Sequence, residues 1–524
     1  MSERRRKADD DHDEPIGAVR RKHWGWGFED EPGPDPEAAA GLAAHLGFGS
    51  EELEAPAPVR LEPPRVDVPA ALRELVSQDD HARARHAHGA SYGDVVRAFR
   101  GLFPHAPDAV ARPRSEEDLL RVLEWAAADR LAVTPYGGGT SVVGGADPVR
   151  GPFEGAVSVD LTRMDRVLAV DEVSRAALIE AGASGPRLEE QLGAHGLTLR
   201  FFPQSFEFST LGGWIATRAA GHFATGPTHI DDLVESVRAV TLAGEIWESR
   251  RLPGSGAGPS PDRMLLGSEG TLAIVSRAWV RVRPRETPRR SASVTFPSFA
   301  AGCDAVRAIL QSGLRPANCR LVAAREAALT FAGEEDLLVL GFEQDVAGFD
   351  AAAALCREHG GEVAERGGGS GAWRDAFLRA PYLRDTFVAM GVLSETFETA
   401  VTWDRLPALV ESVTGAVEEA LGGEGSVTCR LTHAYPDGAA PYFTVLAPAE
   451  RGEEVARWGA IKAVAGAAVL AAGGTITHHH AVGRDHRRWY DEQRPEPFAA
   501  AWRAAKAALD PDGRLNPGVL WEQA

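Results

Sequence analysis

The chain has little that would tie it down covalently or carry it into a membrane. Its 524 residues include four cysteines, Cys303, Cys319, Cys356 and Cys429. They show no spacing typical of a zinc site or a disulfide framework, so a reducing compartment is the expected home. No apolar run is long enough to span a bilayer. The opening MSERRRKADDDHDE has no apolar stretch behind its basic residues, and the closing WEQA is not a peroxisomal address. A cytoplasmic protein is the expectation. Positive charge is also short: 56 Lys and Arg face 75 Asp and Glu, a net charge of −19. That argues against nucleic-acid binding as the main task, and it means that an anionic ligand must be met by a local basic pocket.

What the chain does have is glycine, concentrated in PYGGGTSVVGG from Pro135 to Gly145. The stretch follows LAVTP, which reads as a short strand. Glycine costs backbone entropy, so a cluster this dense needs a reason. Without Cβ atoms, successive backbone N–H groups can turn toward one anion and form a nest for a phosphate, with Thr140 and Ser141 adding hydroxyls. A mobile surface loop is the other reading of the same composition. The stretch does not open a helix within a βαβ unit, so it is not a Rossmann fingerprint.

Around this loop the pattern is mixed helix and strand. Ser115 followed by Glu116, Glu117 and Asp118 predicts a helix start, with the helix running to about Asp129. Residues 156–182 alternate apolar and polar and predict strands. A basic, proline-containing break, RPRETPRR, falls at 283–290, and beyond it helices near 298–312, 348–359, 404–421 and 450–472 alternate with strands. GGGSG at 367–371 reads as a turn. The first 65 residues are charged and proline-rich and read as a mobile arm. One aromatic island within it, His23-Trp24-Gly25-Trp26-Gly27-Phe28, suggests an anchor that docks on the folded body, or a contact for a partner or membrane surface.

Three loops recur in order: PYGGGTSVVGG, PQSFEFSTLGGWIATRAAG at 203–221 and LGSEGTLAIV at 266–275. Together with the tail DPDGRLNPGVL they resemble the vanillyl-alcohol oxidase, or PCMH-type, FAD-binding family. Within it the ether-forming alkyldihydroxyacetonephosphate synthase branch is most similar, on HWGWGFED, RPANCRL, YLRDTFVAMGVLSETFETAVTWDRL, TCRLTHAYPDGAAPYFTV and THHHAVGRDH. The resemblance implies an α+β fold: a PCMH-type FAD-binding domain of two α+β subdomains with an α+β substrate-binding cap. On this chain it implies an arm at 1–65, the FAD domain at 66–285, the cap at 286–475 and an active-site histidine loop with a returning segment at 476–524.

It also implies non-covalently bound FAD. The matching flavin contacts are Pro135, Tyr136, Gly137, Gly138, Gly139, Thr140 and Ser141; Gln204, Ser205, Phe206, Glu207, Phe208, Ser209 and Thr210; Thr217, Arg218, Ala219 and Ala220; and Glu269, Gly270, Thr271, Leu272, Ala273, Ile274 and Val275. Tyr442, His478, His479 and His480 match the acid–base groups, and Arg384 and Arg320 the substrate-phosphate site. The implied reaction has no net oxidation: the acyl group of acyl-dihydroxyacetone phosphate is exchanged for a fatty alcohol, with the flavin ring as nucleophile. A small-molecule or lipid-phosphate substrate and a fatty alcohol are thus the partners. The resemblance allows a homodimer and peripheral membrane contact, and no metal is expected.

Each of these residues has a plainer reading. A strand tyrosine is most often core, arginines form salt bridges, and loop histidines sit on surfaces. If the triple histidine is extended, His478 and His480 share a face and His479 takes the other. A zinc site there would need further ligands, for which His486 is a candidate. Imidazoles titrate near working pH and suit proton transfer. One departure stands out. Where the family has a histidine before the second flavin loop, this chain has Phe201, which transfers no proton; His222 and His229 follow nearby. The alternative function on the same scaffold is an FAD-linked oxidase or dehydrogenase of a 2-hydroxy acid or alcohol.

Overall fold

A computed structural model describes residues 20–50, 52–329, 333–365 and 370–522. Residues 1–19 and the glycines at 367–369 lie outside the described residues, while Ser370 already opens a helix, Ser370–Ala389. The fold is α+β. Ser115 caps the helix Glu116–Ala128, its side chain accepting from the Asp118 N–H at 3.1 Å. That helix delivers the chain into the strand Leu131–Tyr136, which lies parallel to Gly155–Asp160 in a four-stranded sheet. A five-stranded antiparallel sheet follows, in the order Val167–Asp171, Ala176–Glu180, Ile274–Arg281, Val234–Val240, Ile246–Glu248. The two sheets share one core, which includes Leu131, Val157, Ile179, Trp214 and Ala278.

Beyond residue 288 the chain builds a separate antiparallel sheet of eight strands. Toward one edge the strands run in the order Asn318–Val322, Ser426–Ala434, Gly438–Pro448 and Val392–Glu398, the last being the edge strand. Helices Phe299–Gln311, Phe349–Glu358, Leu406–Leu421 and Glu454–Ala471 pack against one face and close a second core. The opposite face looks toward the glycine loop.

Two distant segments fasten that loop. The C-terminal run comes back beside Leu131–Tyr136, where Val133 N–H donates to the Arg514 carbonyl at 2.8 Å and Asn516 N–H donates to the Val133 carbonyl at 2.7 Å. The aromatic island docks on the body: Trp24 and Trp26 are buried, and the Trp24 ring meets Phe99 edge-on at 4.9 Å. The Trp26 backbone N–H donates to Asp385 at 2.9 Å, and its indole N–H donates to Glu207 at 3.1 Å. Just before the island, Arg21 donates to the Gly138 carbonyl at 2.8 Å and lies over the Phe208 ring. Trp26→Ala removes a buried ring that packs on Phe208 and donates to Glu207, and is expected to lower unfolding free energy by about 3 kcal/mol or more. Urea denaturation checks this, and an unchanged midpoint would show that the docked island carries no stability.

Candidate active site

The alternation of a pleated strand places the site. In Ser426–Ala434, Val427, Cys429 and Leu431 face the helices, so Thr428, Arg430 and Thr432 face the other way and line a large cavity. In Gly438–Pro448 the same parity sends Phe443 and Val445 into the core and Tyr442, Thr444 and Leu446 into the cavity. Leu393 and Phe397 against Ser394 and Thr396 repeat it, as do Cys319 and Leu321 against Arg320. Cross-strand pairing then puts Tyr442 between Arg430 on one neighbour and Glu398 on the other. The Arg430 guanidinium lies 3.9 Å from the Tyr442 ring centroid and pairs with buried Glu326, which also accepts from Thr428 at 3.1 Å. Burial pushes the Tyr442 phenol up, against the pull of Arg430.

Arg320 and Arg384 both reach this cavity. Arg320 is 2% exposed. Burial, helped by Arg430, lowers its guanidinium to about 9, which still leaves it charged at neutral pH. Arg384 sits on the helix Ser370–Ala389 and donates to the Ala90 carbonyl.

The histidines are placed by one carboxylate. Glu398, 1% exposed, accepts from the backbone N–H groups of three successive residues: His478, His479 at 3.1 Å and His480 at 2.9 Å. The Thr477 hydroxyl adds a fourth bond at 2.6 Å. Three N–H groups turned to one acceptor bend the backbone, so the extended arrangement predicted from the sequence does not form. His479 and His480 line the cavity together, against the predicted pairing of His478 with His480. His478 is not in the cavity wall; it lies behind His479, bonded to Tyr435 at 2.7 Å, with its ring tilted against those of His433 and His229. The Tyr442 ring centroid is 5.5 Å from that of His480 and 6.2 Å from that of His479. Burial, then the neighbouring His480 and His478, hold His479 well below the ordinary imidazole value, so it is neutral at pH 7. His486 is buried and bonded to the Ala481 carbonyl at 3.0 Å, and Ala481 follows the triple directly.

The same cavity runs to the glycine loop. Pro135 through Ser141 all line it, as do Gln204, Ser205, Ser209, Thr210, Thr217, Ala219, Ala220, Glu269, Gly270, Ala273, Ile274 and Val275. The other predicted flavin contacts are outside its wall, each held elsewhere. Phe206 packs on Phe202, Glu207 accepts from Trp26 and Tyr382, and Phe208 packs on Trp26 and Phe28. Arg218 pairs with Asp231 at 2.8 Å, the Thr271 hydroxyl donates to the Ser268 carbonyl, and Leu272 is core. Phe201 is also core, 1% exposed against Trp214 and Gly221, and does not reach the cavity.

The glycines are needed for a nearer reason than a ligand. A Cβ on Gly138 would sit 1.9 Å from the Phe208 carbonyl, so the first and second loops interlock there. Arg21 and Arg85 both donate to the Gly138 carbonyl and hold it outward. In a trans peptide the next N–H points the opposite way, which aims the Gly139 N–H from the arginines toward the cavity that Gly139 lines. At the far side Asn516 donates to the Glu269 carbonyl at 2.7 Å while its own buried side-chain oxygen has no partner among the described residues. A backbone-lined end for phosphates, an open acceptor and a long cavity between two sheets fit FAD.

Sequence reasoning missed Arg430, Glu398, Glu326 and His433, all inside or beside motifs it singled out. The alternation Thr428, Arg430, Thr432 against Cys429, Leu431 was a period-two signal able to find Arg430. Nothing local marks Glu398, because its partners lie 80 residues on.

Residues 107–250 match the family described as FAD binding domain, and residues 285–520 match the FAD linked oxidases, C-terminal domain. The chain is similar to the alkyldihydroxyacetonephosphate synthase of Trypanosoma brucei brucei, 30% identical over 513 residues covering 88% of this chain and 82% of that relative. It is also similar to that of Caenorhabditis elegans, 31% identical over 487 residues covering 83% and 79%. A solved alkyldihydroxyacetonephosphate synthase superposes with a TM-score of 0.80 at 24% identity, over 95% of this chain and 97% of that one. 4-Ethylphenol oxidase from Gulosibacter chungangensis shares the fold at a TM-score of 0.69 and 15% identity, over 94% and 99%.

Glu398 generates a test of the histidine loop. Burial alone would raise its carboxyl, but His480, His478 and the Thr477 hydroxyl outweigh it and hold it at about 2 instead of the ordinary 4.5. A lowered folded-state value stabilises the protein above pH 4.5, and that stabilisation is lost as pH falls through about 2. Glu398→Gln removes the anion from its backbone donors and is expected to destabilise by about 3 kcal/mol. It also flattens the acid limb of stability against pH, and denaturant titrations from pH 3 to 7 measure both effects.

Proposed function

The chain belongs to the alkyldihydroxyacetonephosphate synthase family, and on that footing we propose that it binds FAD and exchanges the acyl group of acyl-dihydroxyacetone phosphate for a fatty alcohol, giving an ether-linked lipid precursor. The observation that carries this reading is the composition of one cavity. It joins the flavin loops to three guanidinium groups, Arg320, Arg384 and Arg430, in a chain whose net charge is −19. Guanidinium forks match phosphate oxygens, and burial strengthens the pairing because no water competes.

Arg320 and Arg384 are assigned to the phosphate. Arg430, already paired with Glu326, adds positive potential and fixes the Tyr442 ring. Tyr442, His479 and His480 line the cavity that holds both the arginines and the flavin loops and are assigned to moving protons there. His478 is reassigned from direct contact to support of His479. Leu329, Phe387 and Leu446 give the cavity an apolar flank suited to an acyl or alkyl chain. The bound flavin would supply the electron-rich centre that displaces the acyl group, and it leaves the cycle unchanged in oxidation state.

Leu383 lines the same cavity and is 45% exposed, so an apolar side chain stands at its rim. Among the described residues no helix is long and apolar enough to cross a membrane. On this reading the enzyme is cytoplasmic and meets lipid at a membrane surface through the rim at Leu383.

The purified FAD-loaded protein, given acyl-dihydroxyacetone phosphate and labelled fatty alcohol, is expected to form labelled ether without consuming oxygen. Dye reduction by a 2-hydroxy acid or alcohol, with no ether formed, would overturn this in favour of an FAD-linked dehydrogenase. Tyr442→Phe is expected to lower kcat on the order of 100-fold or more. Arg320→Ala is expected to raise KM for the phosphate substrate about 10- to 100-fold, from the loss of a charged hydrogen bond.

A further inference from the structure

His479 does not stand alone behind the cavity wall. Its Nδ1 is 3.0 Å from Nδ1 of His478. His478 Nε2 is 2.7 Å from the Tyr435 hydroxyl, which is 3.0 Å from the Thr228 hydroxyl, which is 3.2 Å from Nδ1 of His229. His229 is half-buried, beside exposed Gly226 and Pro227. An unbroken hydrogen-bonded chain therefore links a histidine in the cavity wall to a half-buried one that adjoins exposed residues. His433 lies against His478 but is outside the chain, its nitrogens bonded to the Gly221 carbonyl and the Thr432 hydroxyl.

One bond sets the polarity of the whole chain. His229 Nε2 is 3.0 Å from the backbone carbonyl of His478, which can only accept. Nε2 therefore carries hydrogen, and when His229 is neutral its Nδ1 must accept from Thr228. Thr228 then accepts from Tyr435, Tyr435 from His478 Nε2–H, and His478 Nδ1 from His479 Nδ1–H. His479 is left with a bare Nε2, the form of a base. When His229 is protonated every donor reverses, and His479 carries its hydrogen on Nε2, the form of an acid. The two polarities differ by one proton, held at the surface end.

We propose that His229, Thr228 and Tyr435 form, with His478, a proton relay that exchanges the acid–base proton of His479 with solvent while lipid fills the cavity. The relay rests on the functional reading above. In that reaction the bond from carbon to the acyl oxygen breaks with the electron pair leaving on the carboxylate, which takes a proton from His479 Nε2–H, while the bound flavin would supply the electron pair that holds the carbon. A carbon–oxygen bond to the fatty alcohol then forms as that electron pair would return to the flavin, and the hydroxyl proton of the alcohol passes to His479 Nε2. The first transfer draws one proton in through His229 and the second sends one out, so nothing is oxidised or reduced. Thr228, Tyr435 and His229 act through His479 and are positioning residues.

The test uses the FAD-loaded protein and the ether-forming assay. Tyr435→Phe keeps the ring and removes the hydroxyl from the middle of the chain. It is expected to lower kcat on the order of 10- to 100-fold, with KM and the flavin absorbance spectrum unchanged. His229→Ala opens the surface end, and its lost kcat is expected to return when imidazole is added to the buffer, which a merely structural role would not produce. Histidine 15N NMR on the wild type is expected to show the neutral form of His229 as the Nε2–H tautomer. If Tyr435→Phe unfolds, as its flavin spectrum would reveal, Thr228→Val cuts the same chain. Wild-type kcat in the chain-cutting variants, or an His229→Ala variant that imidazole fails to restore, overturns the relay alone. A wild-type protein that makes no ether overturns the functional reading and the relay with it.

Discussion

The site depends on one buried anion. Glu398 ends a strand of the large sheet, and its carboxylate gathers the N–H groups of His478, His479 and His480 from a segment with no strand of its own. Burying a carboxylate is expensive unless hydrogen-bond donors converge on it, and here they do. The arrangement fixes which two imidazoles reach the cavity and which is held back. It also brings the last segment of the chain onto the cap sheet, so the acid–base groups and the arginines share one frame.

How much of this was legible in the sequence differs from residue to residue. The helix at 116–128, the strand at 131–136 and the alternating helices and strands beyond 289 follow from capping and periodicity, which are local properties. The glycine loop was legible as a special backbone, though the close approach of the Phe208 carbonyl that excludes a Cβ at Gly138 was not. Tyr442, Arg320 and Arg384 reached the site through motif resemblance, because a strand tyrosine or a buried arginine carries no local mark of function. The place of His478 behind His479 was not legible, because the backbone there is held by a carboxylate 80 residues away. Phe206, Glu207 and Phe208 were assigned to the flavin as part of a contiguous motif. Their side chains instead serve the docked island around Trp26 and the packing beside it.

The electrostatics divide cleanly between outside and inside. The chain as a whole is strongly acidic, yet its cavity gathers Arg320, Arg384 and Arg430, with Arg21 and Arg85 behind the glycine loop. Placing cations where water is excluded makes each of them count for more toward an anionic ligand than the same charge on the surface would. It also makes each depend on its neighbours, since burial opposes every one of these charges unless a carbonyl, a carboxylate or the ligand meets it.

The glycine loop is touched from both directions along the chain, by Arg21 ahead of it and Asn516 behind it. During synthesis Gly139 emerges about 375 residues before Asn516. At translation speeds of roughly 5–20 residues per second, that is on the order of 20 to 75 seconds in which the loop exists without its final fastening. A nascent chain thus presents an unfinished cofactor pocket for most of its time on the ribosome. Firm retention of the flavin becomes an event of the completed polypeptide, and a prematurely terminated chain is left without the last wall of the site.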